Sequence, residues 1–89
     1  MIADWEPLIL ATKGRKQVTL NYIKKDGTPT SHTGGIYEIK SDGSVWLWDT
    51  TFNDTIRQFK GANITSFQVL EMDFIPPMPW PIKINGEIV

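Results

Sequence analysis

Hydrophobic and polar residues recur with two different periods along this chain, and the first period predicts a short helix. Over residues 4–13 the apolar side chains fall at helical spacing, Asp4 is the expected N-cap and Gly14 follows as a stop. An isolated helix of about ten residues is marginal in water. We therefore expect its apolar stripe to pack on the rest of the chain.

From residue 17 onward the period changes to two, which is typical of half-buried β-strands. The pattern predicts five strands, the first beginning at residue 17 and the others covering residues 31–40, 44–49, 55–60 and 64–71. Asp26-Gly27 and Asp42-Gly43 predict turns, and Gly34-Gly35 predicts a sharp bend inside the second strand. Since an open sheet of short strands leaves exposed edges, we expect a mainly β fold closed into a small five-stranded barrel, with the helix covering one end.

The third predicted strand is apolar on both of its faces. Trp46 and Trp48 point to one face, whereas Val45 and Leu47 point to the other, so one pair must lie outside the barrel. Two interpretations follow. Either the helix and the C-terminal residues cover the outer pair, or an aromatic patch stays open as a binding or oligomer surface.

After residue 73 the composition changes to a proline-rich arm, which divides the chain into a barrel domain of residues 1–73 and an arm of residues 74–89 that is not an independent domain. Asn85-Gly86 in the arm predicts a short terminal hairpin. The arm is expected to dock on its own barrel or on a neighbouring subunit, and the second case would make a homo-oligomer. The residues expected to make these contacts are Pro76, Pro77, Pro79, Trp80, Ile82 and Ile84.

Length and composition restrict the function classes. The 89 residues suit one domain, and the absence of cysteine excludes disulfides, thiolate metal sites and cysteine catalysis. The first six residues lack the basic start of an export signal, and no apolar run is long enough for a membrane helix, so we expect a cytoplasmic protein with no membrane partner. No cofactor and no metal site are predicted.

Catalytic motifs are missing from the sequence. His32 is the only histidine, and no serine or carboxylate stands at a recognised catalytic spacing from it. We therefore expect His32 to be an exposed side chain at a strand edge. The carboxylates are scattered singly, and no phosphate-loop motif occurs. The sequence thus predicts a non-catalytic protein.

Basic residues are concentrated in one region although the whole chain has a net charge of −1. Residues 13–60 hold eight basic and five acidic side chains, an excess of +3. A barrel could bring these cations together beside a tryptophan, and such a surface can hold phosphates and stack bases. The candidate ligand-binding residues are Arg57, Lys60, Lys13, Arg15, Lys16, Trp46 and Trp48. The alternative is that these are ordinary solubilising charges.

Three segments together resemble the WYL domain, a family of Sm-like, SH3-type small β-barrels. They are residues 13–22 (KGRKQVTLNY), residues 45–48 (VWLW) and residues 54–64 (DTIRQFKGANI), followed by Phe74. The resemblance covers about residues 5 to 75. It implies a ligand-sensing or nucleic-acid-binding module of bacterial regulators or phage proteins.

Within this resemblance, Arg57 and Phe59 match the family's arginine and packed aromatic of the R-x-F segment. The chain departs from the family at Asn63, where a second arginine usually stands, and at the middle strand, which has Trp-Leu-Trp in place of Trp-Tyr-Leu. Losing one arginine removes a planar anion clamp. We expect a stand-alone module that binds a nucleotide or single-stranded nucleic acid through Arg57, with a structural protein that homo-oligomerises through the arm as the alternative.

Overall fold

The strands predicted from the alternating pattern are present in the computed structural model, which describes residues 2–51 and 53–89. Over these residues the chain forms helix α1 (Glu6–Lys13) and strands β1 (Lys16–Ile23), β2 (Pro29–Ile39), β3 (Val45–Asp49), β4 (Thr55–Phe59), β5 (Ile64–Asp73), β6 (Lys83–Ile84) and β7 (Glu87–Ile88). One 3₁₀ turn, Gly61–Asn63, joins β4 to β5. The N-cap is Trp5, one residue later than the predicted Asp4, and Asp4 accepts the amide of Glu6 at 3.0 Å.

The strands form one sheet in which the five longer strands follow the order β4-β3-β2-β1-β5, with antiparallel neighbours. The expected closure into a barrel is wrong: among the described residues no ladder joins β4 to β5, so the sheet stays open. Both outer strands are short or largely solvent-exposed along their length. A mainly β fold with one short helix is confirmed.

The inner face of the sheet carries the main hydrophobic core. Leu8 and Ala11 of α1 pack with inward residues of the central strands, among them Val18, Leu20 and Leu47. Leu8, Val18, Leu20 and Leu47 have no exposed surface. This burial supports the helix, because a helix of eight residues has little stability of its own.

Residues 74–89 form the C-terminal arm, which covers the outer face of the sheet with Phe74 and Ile82 and adds Ile84 to the main core. Phe74 and Ile82 of the arm are buried beside Tyr37, and Trp48 packs against this cluster. The ring of Phe74 lies directly on Gly35, where any β-carbon would overlap it. The arm therefore docks on its own sheet, and the predicted bend at the glycine pair is instead a place of close approach.

The arm ends in the predicted hairpin. Strands β6 and β7 pair with each other, and β6 also pairs in parallel with the end of β2. Asn85 and Gly86 have φ angles of 52° and 81°, which the primed hairpin turns require. Within residues 2–51 and 53–89, no helix has the length and apolar character needed to cross a membrane.

Candidate functional site

A groove of about 350 Å³ opens at one end of the inner face, and Arg57 lines it. We call it the Arg57 groove. Its walls are Tyr22, Lys24, Thr30, His32, Arg57, Gln58 and Phe59, which come from β1, the turn after it, β2 and β4. The Arg57 side chain is 44% exposed and lines the groove. Two cations, Arg57 and Lys24, therefore share one groove.

Asp49 contacts two of the residues that line this groove, His32 and Arg57. It ends β3 on the same face as Val45 and Leu47, and its side chain has no exposed surface. Its carboxylate accepts the Thr51 amide at 2.9 Å, contacts the Nδ1 atom of His32 at 2.7 Å and forms an ion pair with the Nε atom of Arg57 at 3.4 Å. A buried carboxylate needs such partners, because an unpaired one would be strongly destabilised.

His32 is buried, with 7% of its surface exposed, so its predicted place at an exposed strand edge is wrong. The cause is its register in β2, which sets it opposite Leu20 on the inner face. The ring lies 4.7 Å from that of Phe59, and its Nε2 atom is 2.9 Å from the hydroxyl of Thr30. Because the carboxylate of Asp49 can only accept, Nδ1 of His32 is the donor in this contact.

Tyr22 supplies the aromatic wall of the Arg57 groove. Its ring meets Phe59 edge to face with 5.0 Å between centroids. Its hydroxyl accepts the backbone amide of Lys60 at 3.3 Å, which places that predicted residue at the end of the groove. The ring is therefore held from two sides.

The other predicted cations do not lie with Arg57. Lys16 starts β1 and Tyr22 stands six residues further along it, about 20 Å away at roughly 3.3 Å per residue. At that distant end Arg15 donates to the carbonyls of Thr12 and Val89 at 3.0 and 2.6 Å. Lys16 pairs with Asp73 at 2.5 Å, and Lys13 is exposed at the end of the helix. The second cation of the Arg57 groove is therefore Lys24, and not one of these predicted residues.

Trp46 and Trp48 also lie away from Arg57, on the opposite face of the sheet. Arg57 stands opposite Leu47 in the β3–β4 ladder and so shares its face. Trp48 is half-buried and packs against Trp80 of the arm, with 6.2 Å between ring centroids. Trp46 lines a second groove of about 400 Å³, the outer groove, together with Tyr37, Glu38, Ile56, Trp80, Pro81 and Lys83. We expected a tryptophan to lie beside Arg57, but the residue that lines the groove with it is Tyr22.

Six residues of the site are absent from the sequence-based prediction: Tyr22, Lys24, Thr30, His32, Asp49 and Gln58. One pattern could have identified Asp49: it continues the apolar face of Val45 and Leu47, and a carboxylate on an inward face requires a buried partner. The identity of that partner needs the β2–β3 register, in which Gly34 lies opposite Asp49. His32 lies two residues before Gly34 and reaches the same carboxylate.

No family model, curated protein or solved structure matches this chain. The site must therefore be interpreted from its own geometry. In the part of the chain that the structure describes, no three histidine, aspartate or glutamate side chains are grouped closely enough to hold a metal ion.

Proposed function

We propose that this chain is a WYL-like β module with an open sheet, which binds one nucleotide, free or within a single strand, in the Arg57 groove. The observation that carries the proposal is the contact between Asp49 and Arg57. A buried carboxylate fixes the inner edge of an exposed guanidinium over a groove of about 350 Å³, which is in the size range of small-molecule sites. An arginine held in this way forms charge-assisted hydrogen bonds to phosphate with little loss of side-chain freedom.

The remaining walls of the groove suit the other parts of a nucleotide. Lys24 adds a second positive charge for the phosphate, and Tyr22 offers a fixed aromatic ring for the base. Base stacking on an aromatic side chain contributes about 1–3 kcal/mol per base. We place this role in the cytoplasm of a bacterial or phage-infected cell, on the strength of the cysteine-free sequence and the WYL resemblance.

Fluorescence anisotropy with a labelled oligothymidylate and with a labelled adenosine nucleotide tests the proposal. Arg57→Ala should weaken binding by about 10- to 100-fold, the equivalent of one charged hydrogen bond. The logarithm of the binding constant should fall linearly with the logarithm of the salt concentration between roughly 50 and 200 mM. Lys24→Ala should make this slope shallower by about the amount that one phosphate contact contributes.

Two matched controls sharpen this experiment. Arg57→Lys keeps the charge and removes the planar fork, so it should recover only part of the affinity. Lys13→Ala removes an exposed cation at the end of α1, far from the groove, and should leave the affinity unchanged. Equal losses from Lys13→Ala and Arg57→Ala would show that net charge, and not this groove, binds the ligand.

A second candidate is a structural protein that homo-oligomerises by exchanging its C-terminal arm. The observation favouring it is that the arm still exposes apolar side chains while docked, with Ile75 85% and Ile88 72% exposed. Light scattering on the full chain and on a chain ending at residue 73 separates the two candidates. A multimer that becomes a monomer on truncation supports arm exchange, and an unchanged mass opposes it.

A further inference from the structure

The side chains of Thr30, His32 and Asp49 form one continuous chain of short contacts. The Thr30 hydroxyl lies 2.9 Å from Nε2 of His32, and Nδ1 of the same ring lies 2.7 Å from the Asp49 carboxylate. A hydroxyl, an imidazole and a buried carboxylate in this order are the arrangement in which an imidazole activates a hydroxyl for attack. Thr30 lies two residues before His32 on the same strand, but the sequence conceals the arrangement because Asp49 reaches His32 only through the β2–β3 pairing.

The chain of contacts lies where a substrate could reach it. Thr30 is half-buried, and both Thr30 and His32 line the Arg57 groove. Asp49 lies behind them without exposed surface. Stability alone is a weak reason for this arrangement, since apolar residues of similar volume often replace a buried ionic cluster without loss. A hydroxyl, an imidazole and a carboxylate within hydrogen-bond distance in the wall of a cleft are instead typical of a functional site.

We propose that Thr30 is a nucleophile that His32 activates and Asp49 positions, and that its substrate is a carboxylic ester carrying an anionic group. Arg57 and Lys24, on the same groove, would hold that anionic group. The inference goes beyond the proposed nucleotide binding and does not depend on it.

The reaction balances with water as the only co-reactant. The hydroxyl proton of Thr30 passes to Nε2 of His32 while Oγ1 bonds to the ester carbonyl carbon. The ester C–O bond then breaks, and the leaving alcohol takes the proton from Nε2. Water, deprotonated by His32, next attacks the acyl group on Thr30, and the hydroxyl of Thr30 is restored when the Oγ1–acyl bond breaks and takes the proton back.

Diisopropyl fluorophosphate, a neutral probe, tests the nucleophile in the full chain. Attack by Thr30 forms an Oγ1–P bond and releases fluoride, and peptide mass spectrometry should find the adduct on Thr30. Thr30→Val keeps the side-chain shape and should abolish the adduct, whereas Thr30→Ser should retain it. No adduct on Thr30, or an equal adduct yield in Thr30→Val, overturns the proposal.

The base and its positioning residue are tested by rate and by spectroscopy. His32→Gln and Asp49→Asn should each slow labelling by about 100-fold or more, the usual contribution of a general base. Because His32 is the only histidine, ¹⁵N NMR of its ring reports one tautomer without overlap. The wild type should carry its proton on Nδ1, and Asp49→Asn should move it to Nε2. An unchanged tautomer in that variant would contradict the role given to Asp49.

The anionic preference is tested with two nitrophenyl esters, mono-4-nitrophenyl succinate and the neutral 4-nitrophenyl butyrate. Arg57→Ala should slow hydrolysis of the succinate by a larger factor than hydrolysis of the butyrate. Equal effects on both esters would overturn the anchoring role. Loss of oligothymidylate binding with intact labelling of Thr30 separates a failure of nucleotide binding from a failure of this chemistry.

Discussion

The hydroxyl of Tyr37 makes two hydrogen bonds to the backbone of one residue, Met78. It donates to the Met78 carbonyl at 3.0 Å and accepts the Met78 amide at 2.9 Å. Tyr37 belongs to the sheet and is 3% exposed, whereas Met78 lies in the middle of the C-terminal arm. A proline-rich segment has few amides to donate, and this single hydroxyl satisfies both backbone polar groups of Met78 where the arm crosses the sheet.

Replacing Tyr37 by phenylalanine should loosen the arm. The backbone of Met78 would lose both partners, and the free energy of unfolding should fall by about 1–3 kcal/mol in a urea titration followed by tryptophan fluorescence. Tyr22→Phe is the matched control, because its hydroxyl accepts one exposed amide, that of Lys60, at 3.3 Å. The two variants losing the same stability would contradict this role of Tyr37.

Gly35→Ala should detach Phe74 from the sheet. A β-carbon at Gly35 overlaps the Phe74 ring, and overpacking of this kind costs about 1–3 kcal/mol. In a Phe74→Ala background the same substitution should cost much less, which a double-mutant cycle measures.

Gly34→Ala is the comparison for this cycle. Its β-carbon would meet the backbone carbonyl of Trp48 in the neighbouring strand, which cannot turn away as a ring can. Its cost should therefore remain in the Phe74→Ala background. Relief of both glycine variants by Phe74→Ala would contradict the assignment.

Asp49→Ala should lower the free energy of unfolding by about 3 kcal/mol, as removal of one partner from a buried polar cluster does. The substitution leaves His32 and the Thr51 amide without their acceptor, while Arg57 can turn to solvent because it is 44% exposed. Glu71→Ala, at an exposed position of β5, should change stability by less than about 0.5 kcal/mol. Thermal and urea unfolding of the three proteins measure the difference.

Two turn aspartates should make stability fall at acid pH. The Thr28 amide, and then the Thr28 hydroxyl, lower the pKa of Asp26 from 3.8, and the amide and hydroxyl of Ser44 do the same for Asp42. A carboxyl with a lowered folded pKa contributes stability above its unfolded pKa, and that contribution is lost as the pH falls through the folded value.

NMR titration of the carboxyl carbons should give midpoints below 3.8 for both residues. An Asp26→Asn/Asp42→Asn variant cannot titrate at these positions. The free energy of unfolding of the wild type should therefore fall relative to that of the variant as the pH drops below that value. A difference that is independent of pH would contradict the role of these turns.

Much of the fold is visible in short stretches of sequence. The alternation around Val18 and Leu20, the Asp-Gly and Asn-Gly turns and the two faces of β3 all depend on residues within a few positions of one another. Such patterns act through local backbone preferences and the strand period of two. The helix, the five long strands and the terminal hairpin were predicted for this reason.

The candidate site was predicted only at Arg57 and, at its edge, Lys60. The strand period of two puts Trp46 and Trp48 on the opposite face of β3 from Leu47. Arg57 is the partner of Leu47 in the β3–β4 register, so it also lies on the face opposite to the two tryptophans. That register, unlike the period, is a non-local property. The expected barrel closure was wrong for a related reason, since the arm and the helix cover the two faces without any pairing of β4 with β5 among the described residues.

The sequence by itself determined the elements, their turns and which side chains share a strand face, because each of these depends on neighbouring residues. The tertiary structure alone decided that Asp49 meets His32 and Arg57, that Tyr22 rather than a tryptophan lines their groove, and that Tyr37 holds the arm. These contacts join residues distant in the chain, and their selection depends on strand order, register and the apolar surface that packing removes from water.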